Sequence, residues 1–135
     1  MARKGRKNVN AVKTEVDGIK FDSKFEASRY EELKVMQEEG EIFQLRCHVP
    51  FLLQDEEAGI YIRELRGKKV RTYTPDFIYL VVAGEGATHY FRSIAEDTKG
   101  RTTPAASLRM SVFRALYPDI EHRVIKPPKR KKKKG

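Results

Sequence analysis

The order in which helix-like and strand-like patterns follow one another along the 135 residues is the feature that most constrains the fold. Residues 23–38 predict a first helix, because Ser23 is a favourable N-cap residue and Gly40 is a favourable stop. The expected buried stripe of this helix is Phe25, Arg29, Leu33 and Met36. Apolar, strand-like runs follow at 42–54, 60–66, 69–82 and 88–98. Gly67 predicts a hairpin between the middle two runs, and Pro75 predicts a bulge or an edge position.

A second helix is predicted over residues 104–117, with Thr103 as its cap and Pro104 in its first position. Its expected buried stripe is Leu108, Val112, Ala115 and Leu116. Residues 120–125 complete the pattern as a short strand. One helix, three strands in a meander, a helix and a strand predict an α/β fold (α-β-β-β-α-β), in which helices cover a mixed central sheet.

Length and composition predict one globular domain, since 135 residues do not comfortably make two. No apolar run approaches the ~20 residues that a membrane helix needs. The basic N-terminus lacks the apolar segment of a secretory signal. The single cysteine, Cys47, cannot form an internal disulfide and suits a reducing compartment. We therefore expect a cytoplasmic protein with no membrane partner.

Positive charge is concentrated at the two ends of the chain, which has a net charge of +9. Residues 1–13 and 126–135 contain lysine and arginine but no acidic residue, so residues 14–125 between them are slightly acidic. Segments of like charge repel and cannot bury apolar surface, so we predict two disordered basic arms flanking one domain at 14–125. Such arms either aid solubility or bind a polyanion, and we favour binding, because neutralising phosphates releases counterions.

Pro75-Asp76 is the first motif that can carry chemistry. It opens the apolar stretch at 77–82, although aspartate is disfavoured inside strands. Taken alone, the motif is also typical of a turn. Magnesium is commonly bound by two carboxylates together with waters and phosphate oxygens, so a second acid is needed nearby.

Asp97-Thr98-Lys99 supplies that second acid. Side chains two apart on a strand share a face, so Asp97 and Lys99 point together while Glu96 and Thr98 point away. We therefore predict Asp97, rather than Glu96, as the metal ligand. An ammonium beside the attacking water orients it and stabilises developing negative charge. Alone, the triplet is also typical of a surface ion pair.

Glu26, early in the first helix, has two interpretations. Ser23-x-x-Glu26 has the form of a capping box, in which the glutamate satisfies the start of the helix. The same carboxylate is a candidate member of an active site. His48, His89 and His122 lack metal-ligand spacing, and we predict structural or surface positions for them.

The chain resembles the PD-(D/E)xK nucleases in the order of its motifs. This order is a helix glutamate, then Pro-Asp, then Asp-x-Lys-Gly, then a second helix. More closely, the chain resembles small phage-encoded proteins of that class over roughly residues 12–125. The runs that carry this resemblance are TEVDGIKFDSKFEASRYEEL, YTPDFIY and EDTKG. The resemblance implies a restriction-endonuclease-like core in which Asp76 and Asp97 bind the metal, Lys99 assists the water and Glu26 completes the site. It also implies Mg²⁺, for which Mn²⁺ can substitute, and no small-molecule cofactor.

The chain devotes nearly all its length to this core, leaving no module that reads base edges. Some small nucleases of this class resolve Holliday junctions as homodimers, since a four-way junction has two-fold character. We therefore expect a phage junction-resolving endonuclease acting in the host cytoplasm on branched or duplex DNA. The candidate DNA contacts are Arg3, Lys4, Arg6, Lys7, Arg101, Arg109, Lys129, Arg130, Lys131 and Lys132.

Two alternatives remain open from the residues alone. One is a less selective nuclease, or a nuclease subunit whose partner supplies specificity within a larger DNA-processing complex. The other is a non-catalytic DNA-binding module in which Asp97 and Lys99 form only an ion pair.

Overall fold

A computed structural model of the chain describes residues 13–55, 57, 60–61, 71–99 and 102–127. Almost all of both predicted basic arms, the predicted hairpin tip at Gly67, and Arg101 lie outside the described residues. No helix within the described ranges is long and apolar enough to cross a membrane.

The elements keep the predicted order of a helix, a group of strands, a helix and a strand, and a short pair of strands precedes the first helix. They are β1 (Thr14–Val16), β2 (Ile19–Phe21), α1 (Lys24–Glu38), β3 (Phe43–Cys47), β4 (Phe51–Leu52), β5 (Gln54–Asp55), β6 (Ile60–Tyr61), β7 (Thr72–Tyr73), β8 (Phe77–Glu85), β9 (Thr88–Thr98), α2 (Pro104–Leu116) and β10 (Ile120–Ile125).

A mixed four-stranded sheet in the order β10-β9-β8-β3 forms the centre of the fold. β8 pairs antiparallel with both β3 and β9, whereas β10 returns through α2 to pair parallel with β9. Side chains alternate between the faces of a strand. Ile94 accordingly joins the apolar cluster that includes Leu33 of α1, and its neighbour Ala95 joins the cluster that includes Phe113 of α2. The predicted α/β fold with helices flanking a mixed sheet is confirmed.

Both helices begin where predicted, because Ser23 and Thr103 each accept a hydrogen bond from a backbone N–H in the first turn. Their buried stripes were predicted only in part: Leu33 is buried, and Met36, Val112 and Leu116 are partly buried against the apolar clusters. The buried residues are Glu26, Ala27, Tyr30 and Leu33 in α1, and Met110 and Phe113 in α2.

Tertiary packing selects these faces. Phe113 lies between the rings of Phe51 and Tyr117, at centroid distances of 5.2 and 5.3 Å, whereas Leu108, in the predicted stripe, is 60% exposed.

The predicted hairpin of 60–66 with 69–82 needs correction in its described parts. β6 pairs with β5, which precedes it, rather than with the later run. The later run is divided at Thr74–Asp76, so that β7 pairs with β4 while β8 enters the central sheet. Proline lacks an N–H for a strand ladder, so Pro75 interrupts the run in the manner expected of a bulge or edge.

An ion pair connects α1 to the middle of the sheet. Arg29 Nε donates to Glu96 Oε1 at 2.5 Å, and its Nη2 donates to Oε2 at 3.0 Å. Tyr79 Oη donates to the same Oε2 at 2.6 Å. Glu96 is fully buried, so its negative charge depends on these donors, and its interaction with Arg29 raises the guanidinium pKa.

Arg29→Met is expected to destabilise the protein by about 3 kcal/mol, because it leaves the Glu96 carboxylate buried without its cation. Urea unfolding of the variant measures this loss, with Lys24→Met on the same helix as a control. The double variant Arg29→Met with Glu96→Gln should recover a large part of it. An Arg29→Met protein as stable as the control would show that the pair does not support the fold.

Candidate active site

Asp76 and Asp97 meet where β8 begins and β9 ends. Phe77 pairs with Glu96 in the antiparallel register, so one step further along the ladder brings Asp76 beside Asp97. Asp76 Oδ2 accepts hydrogen bonds from Thr98 N at 2.7 Å and from Thr98 Oγ1 at 2.6 Å. The prediction that Thr98 points away from the site is wrong, because Asp76 lies at the strand end, within reach of the threonine's backbone and hydroxyl.

Asp97 is 1% exposed and has two close neighbours at the same oxygen. Tyr73 Oη donates to Asp97 Oδ2 at 2.7 Å, and Lys99 Nζ lies 3.8 Å from that oxygen. The predicted orientation of Asp97 and Lys99 toward each other is confirmed. Glu96 is directed instead to Arg29, so the geometry separates the two adjacent acids in the way the strand alternation predicted.

Glu26 combines the two interpretations that the sequence left open. Its backbone N–H donates to Ser23 Oγ at 3.1 Å, and its Oε2 accepts from the backbone N–H of Asp22 at 3.3 Å. The second bond differs from a standard capping box, in which the cap residue's own N–H is the donor. The other oxygen, Oε1, lies 2.8 Å from His48 Nε2, so one carboxylate both caps α1 and faces the site.

His48 is the site residue that the sequence analysis missed. It follows β3 in the left-handed region, with φ of 55°, and its backbone N–H donates to the Asp76 carbonyl at 3.1 Å. This backbone contact holds the imidazole beside Glu26. Its signal was absent from the sequence, because the pairing of β3 with β8 brings together residues 28 positions apart.

Glu26, His48 and Asp76 each contribute one ligand atom to a cluster. These three atoms lie within 4.8 Å of one another, close enough to share a metal ion. Two carboxylates suit hard cations such as Mg²⁺ and Mn²⁺, whereas an imidazole shifts preference toward transition metals. These residues therefore fit a divalent cation, and His48 makes the donor set more favourable to Mn²⁺ than carboxylates alone would be.

The charges of Asp76 and Asp97 explain why a cation suits this position. Burial, together with the hydrogen bond and negative charge of Asp97, raises the pKa of Asp76 to about 8. Two adjacent buried carboxylates cannot both ionise cheaply, so without a cation one of them retains a proton near neutral pH. A bound divalent ion would replace that proton.

A chain of hydrogen bonds extends from Asp97 toward α2. Arg114 Nε donates to His122 Nδ1 at 3.2 Å, and His122 Nε2 lies 2.8 Å from Tyr73 Oη. An arginine Nε can only donate, so His122 accepts at Nδ1, donates from Nε2, and leaves the Tyr73 hydrogen for Asp97. Burial and the nearby Arg114 lower the pKa of His122, which favours this neutral form.

Of the predicted DNA contacts, only Arg109 lies among the described residues. Arg109 lies in α2 and lines a cavity together with Lys99. The other predicted DNA contacts lie outside the described residues: Arg3, Lys4, Arg6, Lys7, Arg101, Lys129, Arg130, Lys131 and Lys132.

Comparison with known proteins gives a family but no activity. The family model described as "Protein of unknown function (DUF1064)" matches residues 6–132. No curated protein and no solved structure shows a significant match to the chain.

Asp76→Asn is expected to stabilise the metal-free protein at alkaline pH, by on the order of 1–2 kcal/mol at pH 8. Because the pKa of Asp76 is higher in the folded chain, its protonation supports folding fully below about pH 4. That support is lost as the pH rises toward 8. Asparagine can accept the same Thr98 hydrogen bonds without ionising.

Urea unfolding in EDTA between pH 4 and 9 measures this difference, with Asp119→Asn, an exposed aspartate, as the control. The stability gain should grow from about pH 4 to pH 8 and then level off. An Asp76→Asn protein less stable than the wild type throughout that range would show that the carboxylate is ionised and favourably bound without metal.

Tyr73→Phe is expected to weaken divalent metal binding by about 10-fold, because it removes the hydroxyl that orients Asp97. Tyr79→Phe is a matched control, since it removes an equivalent buried hydroxyl from Glu96 instead. Calorimetric titration with Mn²⁺ compares the two variants. Equal metal affinities would contradict a positioning role for Tyr73.

Proposed function

This chain belongs to the DUF1064 family, and we propose that it is a divalent-metal-dependent endonuclease that acts on DNA. The observation that carries the proposal is the cluster of Glu26, His48 and Asp76 donor atoms within 4.8 Å, beside Asp97 and Lys99. Hydrolytic phosphodiester cleavage by a metal needs oxygen-rich ligands and a cationic group near the attacking water, and this cluster contains both.

The residues divide the work according to their surroundings. Glu26, His48 and Asp76, with Asp97 beside them, hold the cation. When bound, the cation neutralises phosphate charge and lowers the pKa of a coordinated water. Lys99 orients the attacking water and stabilises negative charge that develops on the phosphate. Tyr73 holds Asp97 in position, and Thr98 does the same for Asp76.

Branched DNA, with four-way junctions foremost, is the substrate that we propose. The support is the resemblance to small junction-resolving nucleases in the runs named above. Basic chain ends flanking a slightly acidic middle supply contacts to phosphates without sequence preference.

A homodimer suits this substrate, because paired nicks in a four-way junction require two active sites. The central sheet carries exposed apolar side chains that support self-association. Phe43 is 37% exposed, Val82 53% and Phe91 63%, and the two phenylalanine rings pack edge to face at 5.6 Å. Exposed apolar clusters of this kind are typical of protein–protein contacts.

Cleavage of a labelled, immobile four-way junction and of a matched linear duplex tests the proposal. The wild type should nick the junction symmetrically with Mg²⁺ or Mn²⁺, and EDTA should abolish cutting. Asp97→Asn should reduce the rate by about 100-fold or more, since it alters a metal-site carboxylate. Glu96→Gln is the matched control at the adjacent position and should retain activity once stability is taken into account.

The outcomes separate the alternatives. Equal cutting of junction and duplex would replace the resolving enzyme with a less selective nuclease, and cutting only after addition of another protein would indicate a subunit of a larger complex. Salt-sensitive DNA binding that persists in Asp97→Asn, with no cleavage in either metal, would overturn catalysis in favour of a binding module.

A further inference from the structure

A polar cavity of about 220 Å³ lies between α2 and the segment at 72–74. Its described lining residues are Thr72, Tyr73, Thr74, Lys99, Ala106 and Arg109. Two of them carry positive charge, three carry hydroxyls, and none is acidic. A cavity with this lining attracts an anion that accepts several hydrogen bonds.

Arg109 is the residue in this cavity whose polar group is left unsatisfied. Its Nε is buried and has no hydrogen-bond partner among the described residues, and no described carboxylate forms an ion pair with it. A buried polar group without a partner is unfavourable, so this guanidinium is better accommodated beside an anion. An external anion would compensate its charge.

The cavity adjoins Asp97, the neighbour of Asp76 in the candidate metal cluster. Tyr73 and Lys99 line the cavity, and both also contact Asp97 Oδ2, at 2.7 and 3.8 Å. Asp97 thus contacts both Asp76 of the metal cluster and two residues of a cavity that carries positive charge. A polyanionic strand that passes Asp97 would contact both a cation-binding cluster and an anion-binding cavity.

We propose that this cavity binds one phosphate group of the nucleic-acid strand, a neighbour of the phosphate that is cleaved. The proposal rests on the nuclease function proposed above and extends it to how the strand is held. A cavity of about 220 Å³ has room for a phosphate group.

A phosphate held there fixes the register of the strand without reading its sequence. It positions the next phosphate against the metal cluster, and such positioning contributes directly to the rate. The contact therefore matters for both affinity and cleavage, and the two effects can be measured separately.

The first measurement is the salt dependence of duplex and junction binding in EDTA, where no cleavage occurs. Arg109→Met should make the fall of log K with log salt concentration shallower. The expected change in slope is about 0.9, the contribution of one neutralised phosphate. Arg92→Met removes an equal charge from an exposed position in β9 and should leave the cavity contact intact. Arg109→Lys should restore the slope because it keeps the charge.

The second measurement is the rate of cleavage in the presence of Mg²⁺ or Mn²⁺. The DNA substrates each carry one neutral methylphosphonate at a single position around the cleavage site. With the wild type, one position next to the cut phosphate should slow cleavage by about 10-fold or more. With Arg109→Met that position should lose its effect, whereas Arg92→Met should behave as the wild type does. Thermal unfolding confirms that each variant is folded. If Arg109→Met does not fold, Thr74→Val, just after β7, tests the same cavity.

The results distinguish this proposal from the proposed function. A wild type that cleaves, with equal slopes for Arg109→Met and Arg92→Met and no sensitive methylphosphonate position, would overturn the phosphate cavity and leave the nuclease standing. A wild type that never cleaves, combined with a reduced slope for Arg109→Met alone, would support the cavity as a phosphate site and overturn the nuclease.

Discussion

The structure depends on placing two carboxylates, Asp76 and Asp97, side by side where two antiparallel strands end. Like charges at this separation and burial repel, and the raised pKa of Asp76 expresses that cost. Around them the fold provides donors rather than apolar packing: Thr98 donates to Asp76, Tyr73 donates to Asp97, and Lys99 lies beside Asp97. The arrangement costs stability in the metal-free protein, and under the proposed function a divalent cation at the neighbouring cluster would offset that cost, a trade-off typical of functional sites.

Neighbouring acids acquire different roles because their surroundings differ. Glu96 and Asp97 are adjacent in sequence and both buried, yet they lie on opposite faces of β9. Glu96 receives the guanidinium of Arg29 and a tyrosine hydroxyl, so its charge is compensated within the protein and it joins α1 to the sheet. Asp97 has one ammonium at 3.8 Å and a neutral hydroxyl, and it shares its surroundings with the acid Asp76, so its charge is less fully compensated than that of Glu96. Glu26 combines both situations, with one oxygen at a helix start and the other at His48.

The proposed function and the proposed phosphate cavity follow from the same separation of charge. Glu26, His48 and Asp76 group their ligand atoms together, whereas Lys99 and Arg109 line a cavity that adjoins Asp97. A phosphodiester strand carries evenly spaced negative charges, so a cation site next to an anion site can engage two consecutive phosphates. The first contact supports chemistry and the second supports register, and neither depends on the identity of the bases.

The sequence by itself determined the order of elements, both helix caps, and the shared orientation of Asp97 and Lys99. These features depend on local rules: capping chemistry acts over three residues, and strand alternation acts over two. Tertiary structure alone decided that His48 joins Glu26 and Asp76, that Tyr73 orients Asp97, and which helix faces are buried. Those contacts join residues far apart in the chain, and their geometry depends on strand register, bulges and packing. No local pattern in the sequence specifies these properties.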